Sequence, residues 1–99
     1  MDKTEIFLLT KPPRSDRTKL CLHLMEHAEN AVLYLAGDGV YNLLEAASLE
    51  ALPKESIMAC KEDLEARGVQ VGEMATVPEN FYELLVEDMI SEGSRIYTF

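Results

Sequence analysis

Two short, almost uninterrupted apolar runs, EIFLLT (Glu5 to Thr10) and AVLYLA (Ala31 to Ala36), limit the fold most tightly. A strand with one wet face alternates apolar and polar residues. Runs without that alternation belong to strands covered on both faces. Each run ends in residues that break a strand, KPPR after the first and GDG after the second. Between them, SDRTKLCLHLMEHAEN (Ser15 to Asn30) predicts a helix with Ser15 as its N-cap. Leu20, Leu24 and Ala28 form one row at helical spacing, with Cys21 and Met25 beside it.

The same alternation continues downstream. VYNLLEAAS (Val40 to Ser48) predicts a short helix, and SIMAC (Ser56 to Cys60) a third strand. KEDLEARG predicts a helix that stops at Gly68. VQVGEMA (Val69 to Ala75) reads as a fourth, edge-like strand because it is less apolar and contains Gly72. After Pro78, ENFYELLVEDMISEG predicts an amphipathic helix with Phe81, Leu84, Leu85 and Ile90 on one face and Gly93 at its end. SRIYTF closes the chain as a strand. Strands alternating with helices imply crossover connections, so the expected class is α/β. The expected architecture is a small three-layer sandwich with a mainly parallel sheet of about five strands. Its 99 residues form one domain, 1–99.

Charge narrows the partners. Asp and Glu number 18 against 9 Lys and Arg, for a net charge of -9. Phosphate repulsion then argues against direct nucleic-acid binding, and the mixed cluster KPPRSDRTK does not reverse it. No apolar run approaches the roughly 20 residues that a membrane helix needs. The N-terminus MDKTEIFLLTKPPR lacks the pattern of a signal peptide. The expected location is cytoplasmic, with Cys21 and Cys60 reduced. The two cysteines stand far apart with no CxxC, and the cysteines and histidines together do not form a Cys/His zinc signature, so no metal and no cofactor are expected. His23 and His27 are four apart with Glu26 between them, but HLMEH is not HExxH, and two solvent-facing histidines are the simpler reading.

In parallel sheets, sites form at the carboxyl ends of strands. Two segments fall there, the GDG turn and Cys60. At the N-terminus of a helix, unpaired N–H groups stabilise a thiolate and lower the pKa of a cysteine. Lys61 would add to that effect, while Glu62 and Asp63 oppose it. The competing reading is a cysteine packed as a small hydrophobe. Cys21, between Leu20 and Leu22, has nothing nearby to activate it and reads as packing. AGDGVYNLL has neither the GxGxxG of a dinucleotide fold nor the Gly-Lys-Ser/Thr of a phosphate loop. Its glycines, Gly37 and Gly39, permit close backbone approach. Asp38 caps the following helix or orients a ligand, and capping is the commoner role. Asp38, Gly39, Tyr41 and Lys61 are the expected lining of a site shared with Cys60.

LAGDGVYNLLEA followed at this spacing by CKEDLEARG resembles the DsrE/DsrF/DsrH-like family of sulfur-relay proteins, and the resemblance runs from EIFLLT to SRIYTF. The resemblance implies a DsrEFH-like fold and a sulfur-relay role, in tRNA wobble-uridine thiolation or in sulfur oxidation. Cys60 stands where DsrE-like carriers bear a cysteine ahead of an Arg-Gly pair, here Arg67-Gly68. That implies a persulfide carrier or sulfurtransferase subunit. EDLEARG and the short chain are closer to the DsrH (TusB-like) branch, whose members often lack this cysteine. That implies instead a non-catalytic structural subunit. Implied partners are further copies, from dimer to hexamer, or sister DsrE- and DsrF-like subunits, with protein sulfur donors and acceptors. The carrier reading expects a solvent-reachable Cys60 thiol of lowered pKa. The structural reading expects a buried one. A third reading, a small-ligand domain built on AGDGV, expects a pocket beside Asp38.

Overall fold

The structure is a computed structural model, and it describes residues 4–45, 49, 52–91 and 93–99. Four parallel strands, β1 (Glu5–Leu9), β2 (Ala31–Leu35), β3 (Ile57–Ala59) and β4 (Arg95–Thr98), form one sheet in the order β3-β2-β1-β4. Among the described residues three α-helices are delimited: α1 (Asp16–Glu26), α2 (Lys61–Arg67) and α3 (Phe81–Ile90). A 3-10 segment spans Gly37–Leu44 and a shorter one Lys54–Ser56. The fold is therefore α/β with a parallel sheet, as expected.

The unbroken apolar strands are explained by two cores, one on each face. Phe7 and Leu9 of β1 and Leu33 and Leu35 of β2 point into the larger core, with Cys21 and Met25 of α1 and with Val40 and Leu43. Ile6 and Tyr34 point the other way, into a smaller core with Cys60, Phe81 and Leu85. The register sets Ile6 opposite Val32 and Phe7 opposite Leu33, so side chains on each face match across the strands. Tyr34 donates its hydroxyl to Asp88, fastening α3 to the sheet. Tyr97 of β4 and Phe99 just after it extend the larger core, and Phe7 stacks on both rings.

Four expectations need correction. The sheet has four strands among the described residues, not about five. The missing one is VQVGEMA, which turns at Gly72 (φ 60°) and sends Val69 and Ala75 into the larger core. Only Thr76, just beyond it, pairs with β3, as a single bridge beside Met58. Second, α1 ends at Glu26, short of Asn30, because the His27 and Ala28 N–H groups turn back to Leu24 and Met25 in a tightened last turn. Third, the buried row of α1 is Thr18, Cys21 and Met25, while Leu20 and Leu24 face outward. Thr18 is pulled in by its hydroxyl, which donates to the Pro12 carbonyl at 2.7 Å. Fourth, Ile90 lies off the buried face of α3, which is formed by Phe81 and Leu85. The helix expected over Val40 to Ser48 is the 3-10 segment as far as Leu44, and its last three residues lie outside the described ones. Ser15 caps α1 as expected, accepting from the Thr18 N–H at 3.1 Å. Gly68, left-handed at φ 65°, ends α2.

Candidate functional site

The carboxyl edge of β2 and β3 brings the GDG turn and Cys60 together. The Cys60 N–H donates to the Leu35 carbonyl at 3.1 Å, so the end of β3 is held against the end of β2. One turn along α2, Asp63 accepts the Gly37 N–H at 2.7 Å. Arg67 then ties both segments, its Nε 3.1 Å from Asp38 Oδ1 and its Nη1 3.4 Å from Asp63 Oδ1. Its guanidinium also lies 6.0 Å from the centre of the Tyr41 ring. Asp38, Tyr41 and Cys60 thus share one edge of the sheet, but Asp38 and Tyr41 converge on Arg67 and not on the sulfur.

Asp38 does not cap the segment that follows it, whose N-cap is Ala36 without a side-chain bond. Gly39 is structural: a Cβ there would collide with the Leu9 carbonyl oxygen, so only glycine lets the turn cross the end of β1. Asn42 is buried beside it, its amide donating to the carbonyls of Lys11 and Gly39. Lys61 turns to Glu79, Nζ to Oε1 3.6 Å, on the exposed side of α2. The hollow lined by Thr4, Met25, Glu29, Asn30, Pro53 and Ser56, about 540 Å³, lies at the amino ends of β1 and β2, the opposite edge of the sheet.

Cys60 is the N-cap residue of α2, with no side-chain capping bond. Its side chain sits in the smaller core and is 1% exposed. The thiol faces Glu62, Sγ to Oε2 3.4 Å, and lies 3.9 Å from the Tyr82 hydroxyl oxygen. Burial pushes its pKa up; the Asp63 N–H lowers it, the Asp63 and Glu62 carboxylates raise it and the Tyr82 hydroxyl lowers it. The net direction is upward, so in the free chain the sulfur is a protonated thiol beneath Tyr82, neither open to solvent nor acidified. Cys21 lies in the other core, where burial pushes its thiol up to about 12. The sheet separates the two sulfurs, which rules out a dithiol pair in this fold.

Sequence reasoning named Asp63 only as a charge opposing a Cys60 thiolate and Arg67 only in the Arg-Gly pair; it missed Tyr82 and the bonds by which Asp63 and Arg67 hold the GDG turn. The i, i+4 spacing of Asp63 and Arg67 was a readable sign of an ion pair. Nothing in the sequence set Tyr82 over Cys60, since that contact joins α3 to the end of β3.

The chain is thus a parallel α/β sandwich with a cysteine at a strand's carboxyl end and an Arg-Gly pair where the next helix stops. The family described as DsrH like protein matches residues 11–92, and the chain belongs to it. A search of curated proteins found no match. Membership of the DsrH-like family gives the chain a role related to sulfur relay in general. Among the described residues, no helix is long and apolar enough to cross a membrane.

Proposed function

We propose that this chain is an assembly subunit of a cytoplasmic sulfur relay. It docks a sister subunit of the same family, DsrE-like or DsrF-like, through the outer face of α3. One observation carries the reading: Tyr82, Val86, Met89 and Ile90 are 57, 53, 42 and 78% exposed. Their spacing puts all four on one side of α3. Ile96 of β4, level with Ile6 on the face of the sheet that α3 covers, is also exposed. A contiguous apolar face of this kind marks a protein interface. A chain this small also gains stability from assembly. The net charge of -9 suits protein partners better than tRNA, so in a wobble-uridine thiolation pathway or in sulfur oxidation it would meet other proteins.

A second reading keeps Cys60 as the carrier. It is favoured by the position of the sulfur, one side chain below the docking face, under Tyr82. A partner that moves Tyr82 would open it. The Cys60 thiolate would then attack the outer sulfur of a donor persulfide. The donor S–S bond breaks, the donor leaves as a thiolate, and Cys60 holds the persulfide for an acceptor thiol. Neither reading calls for a cofactor.

Co-expression with a DsrE-like and a DsrF-like chain, followed by size-exclusion chromatography with light scattering, tests the docking. Co-elution that is lost in Val86→Glu and Ile90→Glu, with both variants folded, is expected. Co-elution unaffected by both changes contradicts it. Self-association lost in the same variants would assign the face to a second copy instead.

A further inference from the structure

We infer that the last turn of α1 carries a surface site for a divalent transition-metal ion, with His23, Glu26 and His27 as ligands. Among the described residues these three form a group whose donor atoms all lie within 4.8 Å of one another. His23 Nδ1 is 3.9 Å from Glu26 Oε2. The two imidazole rings meet edge to face with centres 5.1 Å apart. Positions i and i+4 stack on one side of a helix, which is why HLMEH brings both rings together.

The geometry is close to what an ion requires. Zinc–nitrogen bonds of about 2.0–2.1 Å in a tetrahedron set ligand atoms about 3.3 Å apart. Closing from the present spacing requires only rotation of side chains. All three are exposed and free to turn, His23 and Glu26 being 67 and 73% exposed. Water would complete the coordination.

Electrostatics favour a cation here. The group sits on the last turn of α1, where unpaired carbonyls make the helix end partly negative. Glu26 adds a full negative charge, and the chain as a whole carries -9. Lys19, one turn earlier, opposes this weakly. Two imidazoles and one carboxylate select zinc, nickel or copper over magnesium or calcium, which prefer oxygen ligands. The face is open to solvent, so the ion would clamp the helix end and has no reaction cleft around it. The inference is independent of how Cys60 is used, because the site lies on the opposite side of the sheet from the smaller core.

The experiment is a zinc titration of the untagged chain, followed by calorimetry and by the imidazole NMR signals. One equivalent of Zn2+ is expected to bind and to perturb both histidines, while Mg2+ leaves them unmoved. His23→Asn and His27→Asn are each expected to weaken binding about tenfold or more, the scale for loss of a coordinating interaction. Glu26→Gln weakens it less, and Glu29→Gln leaves it unchanged. These positions are exposed, so the variants fold, and circular dichroism checks it. No zinc-induced shift of the imidazoles, or zinc binding that survives both histidine changes, would overturn the site.

Discussion

The two faces of the sheet each bury one cysteine, but they bury it differently. Cys21 lies under α1 in a core that also gathers the 3-10 segment, β4 and the turns after α2. Cys60 lies under α3 in a core of six buried residues, and the helix that covers it is itself apolar outside. On the first face the exposed apolar residues of α1, Leu20 and Leu24, are separate from a large core. On the second, the core is small and the exposed apolar residues Tyr82, Val86, Met89 and Ile90 lie together on the helix that covers it, with Leu8, Val32 and Met58 half-buried at its margins. Under the docking proposed above, the second face is the one that meets a partner, and Cys60 lies on it.

The sharpest break falls on the first face, where the GDG turn crosses the end of β1. Gly39→Ala drives a methyl group into the Leu9 backbone, which cannot move without shifting β1. A loss of about 3 kcal/mol or more is expected in urea unfolding, the scale of severe overpacking. Stability within about 0.5 kcal/mol of wild type would show that the turn can shift away from β1.

The two cysteines provide a direct test of the contrast. Cys21→Ser puts a hydroxyl into an apolar core and is expected to cost about 1–3 kcal/mol. Cys60→Ser is expected to cost less than about 1 kcal/mol, because serine is a preferred N-cap and α2 lacks a side-chain cap. Equal losses would mean that the two faces are equally closed.

A smaller effect comes from pH. Burial raises the Cys21 thiol from its usual value of 9.0 to about 12, and the Tyr34 hydroxyl is also raised, by burial and then by Asp88. The native chain therefore holds these protons more tightly than the unfolded chain does. Their contribution is complete below pH 9 and falls as pH rises from about 9 towards 12 for Cys21. Melting temperatures are expected to drop across that window, with a shallower slope in Cys21→Ala. An identical slope in that variant would assign the loss to other groups.

How much of this was legible follows from range. The buried strands, the Ser15 cap and the Gly68 stop are written in short stretches, and all three are found. Gly39 was legible as a close approach, though not the Leu9 carbonyl that it meets. The burial of Leu20 and Leu24 was misread because α1 presents Thr18, and Thr18 is held by loop carbonyls that periodicity does not include. VQVGEMA failed as a strand because Gly72 turns it after three residues. At the site, the shared edge of Asp38, Tyr41 and Cys60 followed from the topology of parallel sheets. The lid over Cys60 did not, because Tyr82 reaches it from another helix.

The most direct test of the central claim, that Cys60 in the free chain is not a working carrier, is the intact mass after exposure to a sulfane-sulfur donor. Wild type, Cys60→Ser and Cys21→Ser would be compared as folded monomers. The account predicts no reducible gain of ~32 Da, the mass of one sulfur atom, on any of the three. A gain on wild type and Cys21→Ser that disappears in Cys60→Ser would contradict it and make the chain a sulfur carrier in its own right.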